Sequence, residues 1–296
     1  MYKRLDKLRH SGVWFILPAV LVIAVLLVYP VASSFFYSFT SKHLIKAKWN
    51  VVWLDNYLSI LSDEDFWRSL LTNIKWTAIS LSCQLIIGFT AALALERIKH
   101  ANGLYRTLLI VPWAFPSIVI ALSWKWILNG VSGFLPHLLV RLGICETIPQ
   151  FLSSGDLAFW TLIFINTWFG APLIMVNVLS ALQTIPKDQY EAAQIDGASS
   201  WDSFIHITVP HIKTVVGLLV VLRTIWVFNS FDMIYLITGG GPGGTTQTVP
   251  IYAYNIAWGL KQLGKSSAVT ILLLIFLLAV CAIYFRILDK WEREDT

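Results

Sequence analysis

Asn166, Trp168, Asn229 and Ser230 stand inside two long apolar runs of the sequence. Amides and hydroxyls hydrogen-bond ligand hydroxyls, and an indole face stacks on apolar C–H groups, so this set suits a polyhydroxylated ligand such as a sugar. Polar groups at membrane depth are costly, which makes each a functional candidate by default. Gly170, Leu173 and Asn177 share the first run, and Arg223, Trp226 and Asp232 share the second; Gln84 and Trp113 stand in two others. The competing role is glue, because buried amides and hydroxyls also tie helices together. For Asn166, Trp168 and Asn229 both roles stay open. Gln84 and Arg223 read as structural groups and Asp232 as a hydrated one near the outer end of its run. In a straight helix Arg223 and Ser230 share a face to within about 20°, while Asp232 lies nearly opposite Arg223 and about 13 Å along the axis.

Other chemistries are poorly supported. Gly259-Leu260-Lys261-Gln262-Leu263-Gly264-Lys265-Ser266 matches the phosphate-loop pattern letter for letter. A working phosphate loop joins a buried strand to a helix, and here an apolar membrane run follows instead. The expected role is a helix start, with Ser266 capping and Lys265 at the headgroups. His10, His43, His100, His137, His206 and His211 fall outside the apolar runs and lack metal-ligand spacing. Cys83, Cys145 and Cys281 suggest neither a disulfide framework nor a metal site. The expectation is no catalytic residue, no metal and no cofactor.

These residues need a scaffold, and composition supplies its class. Of 296 residues 56% are hydrophobic and only 13% charged, whereas a soluble domain carries roughly 25% charged residues. The apolar surplus must face lipid. The 14 Trp and 10 Tyr suit interfacial aromatic belts. The net charge of +5 is spread in short clusters between apolar runs, which fits a membrane surface and not a nucleic-acid footprint.

A spanning helix needs about 20 mostly apolar residues. Six stretches qualify: Val13 to Phe39, Leu70 to Leu95, Tyr105 to Leu128, Leu157 to Leu182, Val215 to Ile237, and Ala268 to Leu288. The predicted class is an all-α membrane protein with six transmembrane helices. Residues 1–12 form an amino-terminal tail, 13–288 the transmembrane domain and 289–296 a carboxy-terminal tail. Lys and Arg crowd closest to the span ends on the side of the termini, which puts both tails in the cytoplasm. Residues 183–212 form the longest inner loop and carry helical spacing interrupted at Gly197. Residues 238–248, rich in Gly and Thr, read as an irregular turn on the outer side.

Within the inner loop, Glu191 is read as opening a short helix, where a carboxylate favours the positive end of the dipole and can meet an external cation. Ala192 and Ala193 let another surface approach. Gly197 ends the helix in a conformation with positive φ, and helix resumes from Ser199 to His206. The block Glu191-Ala192-Ala193-Gln194-Ile195-Asp196-Gly197 is followed by Ile207, Val209 and Pro210. This resembles the loop signature of permease subunits of ATP-binding-cassette importers, with Val209 for the usual Leu. Leu54-Asp55-Asn56-Tyr57, Asp65-Phe66-Trp67, Pro112-Trp113-Ala114-Phe115-Pro116 and Thr238-Gly239-Gly240-Gly241-Pro242 are similar to the carbohydrate-uptake branch, which includes maltose, glycerol-3-phosphate and trehalose permeases.

The resemblance implies a type I importer permease fold, in an inner or plasma membrane. It implies a second permease subunit, two ATPase subunits that hydrolyse the ATP, and an extracytoplasmic solute-binding protein. Glu191, Ala192, Ala193, Asp196 and Gly197 become the ATPase-coupling helix. Asn166, Trp168, Gly170, Asn229 and Ser230 fall where maltose-type permeases contact sugar, with Trp113 alongside. Leu173 stands where that relative has a tyrosine, implying a different pocket. Two other readings remain at this level: a permease for a polyol or glycerol phosphate, and a self-sufficient secondary transporter, which would leave the loop motif unexplained.

Overall fold

The computed structural model describes residues 13–98 and 102–293. The tail expected over residues 1–12, with His10, lies outside the described residues, as do His100 and the last three positions. Among the described residues helix dominates, and extended backbone pairs at an isolated antiparallel bridge between Thr40 and Val51. The chain divides into two compact units: Met1–Glu64 with Ala253–Ile275, and Asp65–Tyr252 with Phe276–Thr296.

In the first unit, α1 (Val13–Ile23), a π turn (Ala24–Val28) and α2 (Tyr29–Ser38) make one apolar rod. Its 24 residues from Phe15 to Ser38 rise about 36 Å, enough to cross a hydrocarbon core of about 30 Å. At its end Asn56, on α3 (Asp55–Leu61), donates to the carbonyls of Ser38 (2.8 Å) and Thr40 (2.9 Å). The Gly259–Ser266 segment is engaged inside this unit. The Gly264 amide donates to the Lys42 carbonyl (2.9 Å), Lys265 sits 3.9 Å from Asp63, and Ser266 Oγ donates to the Ala253 carbonyl (2.7 Å). Groups that a phosphate loop would turn on a nucleotide thus hold a turn together. The last helix starts at Leu263, so Ser266 lies in its first turn and is not its cap.

The second unit holds α4 (Glu64–Arg97), α5 (Asn102–Ala114), α6 (Ser117–Ile127), α7 (Phe134–Arg141), α8 (Gly155–Leu182), α9 (Lys187–Ile195) and α10 (Ser200–Ser203). A π turn (Phe204–Thr208) leads into α11 (Val209–Phe228), followed by α12 (Asp232–Thr238), α13 (Val249–Tyr254) and α14 (Leu263–Arg293). α4 and α14 begin in the first unit, and α13 ends in it. The organiser is α8, apolar around its whole circumference: neighbours bury most of it, and a stripe of Trp160, Phe164 and Trp168 stays exposed, as a lipid-facing side would be. Its amino-terminal half packs Leu162 and Ile165 with Trp76 and Ile234; its carboxy-terminal half packs Ile174 and Leu179 with Leu95 and Ile212.

Among the described residues five helices are long and apolar enough to cross a membrane, and the pair α5–α6 makes a sixth crossing if taken together. Two expected spans differ from straight rods. α5 and α6 meet at 88° around Phe115-Pro116, since the residue before a proline avoids the helical region and proline has no amide to donate. The fifth span stops at Phe228 and restarts at Asp232. Angles drawn along a continuous helix therefore hold as far as Phe228 and not for Ser230 or Asp232.

Candidate functional site: a cavity at the broken fifth span

A helix break frees carbonyls that lipid cannot satisfy, so partners must come from the protein. Trp76 Nε1 donates to the Val227 carbonyl (3.1 Å) and Asn73 Nδ2 to the Phe228 carbonyl (3.1 Å), both from α4. Asn73 Oδ1 in turn accepts from the Val249 amide (3.0 Å). The break is thus capped by buried side chains, and α12 beyond it packs on α6.

A cavity of about 320 Å³ opens at this break. Trp113, Asn166, Asn229 and Ser230 line it, together with Arg223 and Asp232. Four of the sequence-derived candidates therefore meet, although they come from three different spans. Trp168, Gly170 and Leu173 do not join them. Two residues along a helix turn about 200°, so Trp168 points away from Asn166. It meets Trp124 edge-on (5.6 Å) and lines a separate, apolar cavity of about 270 Å³ with Gly88, Pro112 and Ala171. The half-buried Leu173 carbonyl accepts from Asn177 Nδ2 (2.8 Å).

Gly170 serves the cavity from behind. A β-carbon there would collide with Arg223 Nη2 and with the Gln84 amide. Arg223, 5% exposed, donates through Nε (3.2 Å) and Nη2 to Gln84 Oε1. Gln84 Nε2 donates to Asn166 Oδ1 (2.6 Å) and to the Asn166 carbonyl (3.0 Å). Among the described residues no carboxylate lies within ion-pair distance of Arg223; the Trp226 ring is 5.8 Å from its guanidinium carbon. Sequence spacing does not reveal this triad, because its members lie on three helices far apart in the chain. The signal was each residue's cost in an apolar run.

The loop over residues 183–212 is a second site. α9 begins at Lys187, so Glu191 sits in its middle and does not open it; Asp188 occupies the first turn. At its end Gly197 has φ +82°, its amide donates to the Gln194 carbonyl (3.1 Å), and the Ala198 amide reaches the Ala193 carbonyl (2.9 Å). This is a Schellman closure, which needs a left-handed residue at this position. Ser199 and Asp202 then form a capping box that restarts the helix. Tyr190 Oη pairs with Thr208 Oγ1 (2.9 Å), fastening α9 to the segment entering the fifth span. Glu191, Ala192 and Asp196 are exposed and Ala193 half-buried. Ile195 is 87% exposed and Trp201 66%, an apolar pair that motif reading passed over.

The family model for "binding-protein-dependent transport system inner membrane component" matches residues 84–294. The chain is 34% identical over 283 residues to the trehalose/maltose transport system permease protein MalF of Thermococcus litoralis, covering 96% of this chain and 95% of the relative. It is 29% identical to the diacetylchitobiose uptake system permease protein DasB of Streptomyces coelicolor, over 95% and 87% of the two chains. Among solved structures, a chain of a bacterial ABC transporter involved in import of the acidic polysaccharide alginate superposes with a TM-score of 0.84. That match covers 97% of this chain and 99% of the other at 19% identity, a likeness of fold.

Proposed function

The chain belongs to the binding-protein-dependent transport system inner membrane components, and from that premise we propose that it is the permease subunit of an ATP-driven sugar importer. The observation that carries the sugar reading is the near full-length relationship to a trehalose/maltose permease, supported by a cavity offering amide, hydroxyl and indole groups together. Such groups match the hydroxyls and apolar faces of a carbohydrate. The chain itself performs no ATP chemistry. A second permease, two ATPase subunits and an extracytoplasmic binding protein complete the machine. Residues 1–12 and 289–296 face the cytoplasm, flanking the transmembrane domain 13–288.

The coupling segment is Glu191, Ala192, Ala193, Asp196 and Gly197. It meets the ATPase, whose ATP-bound state draws the permease pair into the outward-open arrangement by binding that state more tightly. The cavity at the broken span is where solute released by the binding protein lodges, with Trp113, Asn166, Asn229 and Ser230 as contacts. Of the other three candidates Gly170 backs the cavity through Arg223 and Gln84, whereas Trp168 and Leu173 lie outside its lining.

Topology and partnership are tested together. In a background without the native cysteines, Gln194→Cys is expected to react with an impermeant maleimide only from the cytoplasm and Thr245→Cys only from outside. Both positions are exposed. The tagged permease is expected to bring an ATPase with it on purification. Labelling of both positions from one face would sink the topology, and a permease that transports alone would sink the importer reading.

A further inference from the structure

We infer that Arg223 and Gln84 are positioning residues that fix which atom Asn166 turns toward the cavity, so that this wall presents a hydrogen-bond donor. The inference rests on the reading of the cavity as the sugar site. Its physical core is a chain of forced choices. A guanidinium only donates, so the Gln84 group facing Arg223 must be Oε1, which accepts from both Nε and Nη2. That leaves Gln84 Nε2 facing Asn166, where its two hydrogens go to the carbonyl and to Oδ1. All four hydrogen-bonding positions of Gln84 are then filled. Asn166 Oδ1 is held from behind, and its Nδ2 has only a long contact, 3.8 Å, to Met233 Sδ. The amide that a ligand meets is therefore a donor.

The facing residue has the opposite sense. Asn229 Nδ2 donates to the Ile225 carbonyl of its own helix (2.9 Å), which leaves Oδ1 as the acceptor available to a ligand. The cavity thus offers one donor from Asn166 and one acceptor from Asn229, both with orientations fixed by the protein. A neutral hydroxylated ligand satisfies both, since a hydroxyl can accept at one and donate at the other. Gly170 belongs to the device, because only a residue without a β-carbon leaves room for the Arg223–Gln84 contact.

The test is uptake kinetics of the reconstituted complex with its binding protein, normalised to assembled transporter. Radiolabelled maltose, trehalose and diacetylchitobiose are screened, and the one taken up by the unaltered complex is used. In Gln84→Glu the carboxylate still accepts from Arg223 but cannot donate to Asn166 Oδ1, so the Asn166 amide turns over and shows its oxygen to the cavity. The expected result is an apparent KM raised roughly three- to tenfold with kcat retained. Asn166→Asp, of the same shape, is expected to act likewise. Arg223→Met, which frees Gln84 to flip, raises KM, and Arg223→Lys recovers most of that loss because an ammonium also only donates.

The decisive measurement is the double variant. If Gln84 acts through Asn166, Gln84→Glu changes KM no further in an Asn166→Ala background. An equal rise in KM in both backgrounds overturns the relay, as does an unchanged KM in Gln84→Glu when Asn166→Ala alone raises it. An unchanged KM in Asn166→Ala overturns the cavity reading itself.

Discussion

Gly170 lies directly against the Arg223 guanidinium, with no room between them for a methyl group. The contact joins α8 to α11, and the Gln84 amide of α4 fills the same space. One hydrogen atom on a glycine thus decides whether three helices can share a buried cation. Gly170→Ala is expected to force the guanidinium off Gln84. Overpacking of this kind costs about 1–3 kcal/mol, so the purified complex should lose thermal stability and assemble less well. A melting temperature equal to that of the unaltered complex would remove the basis of the triad.

The loop closure at Gly197 separates two effects of substitution. Its position has open space around a β-carbon, so the penalty is conformational, arising from φ +82°. Asparagine tolerates the left-handed region better than other side chains, and a β-branched residue tolerates it worst. Gly197→Asn is therefore expected to keep most transport and ATPase association, whereas Gly197→Val loses both while the permease still inserts. Transport at normal rate in Gly197→Val would count against a coupling role for this loop.

Two tryptophans of similar promise in the sequence part company in three dimensions. Trp113 lines the cavity with Asn166, and Trp168 does not. Trp113→Ala is expected to raise apparent KM through loss of a stacking face, with assembled complex little changed. Trp168→Ala opens an apolar space beside Trp124 and is expected to lower stability while leaving KM unaltered. The reverse pattern, measured by uptake and thermal melting of the same preparations, would exchange their roles.

What sequence reading reached depended on the range of the interaction. Apolar runs record local burial and lipid contact, so the long helices and the glycine-terminated loop around Gly197 were open to inspection. The 88° bend was half visible, since Pro112 and Pro116 mark a weakness without giving an angle. The break at residues 229–231 was hidden. Nothing in Asn229-Ser230-Phe231 forbids helix; its cause is tertiary, namely Asn73 and Trp76 taking up the carbonyls of the preceding turn. Gln84 and Arg223 were each noticed for their cost, but 139 residues separate them and no spacing rule pairs residues so remote. Ile195 went unmarked because an isoleucine in a helix suggests burial, and only the fold leaves it bare.

The Arg223–Gln84–Asn166 triad also bears on how the protein is made. Insertion of an arginine at the centre of a nascent membrane helix costs about 2.5–3.5 kcal/mol on the translocon scale. Arg223 is the last of the three to leave the ribosome, since Gln84 and Asn166 are encoded upstream. Its acceptor is therefore already synthesised when the costly helix arrives, and the fifth helix can partition into an environment prepared by earlier ones. Synthesis in the opposite order would deliver an unaccompanied cation to lipid first. The order of the genetic message thus favours insertion of a helix that carries a cation among apolar residues.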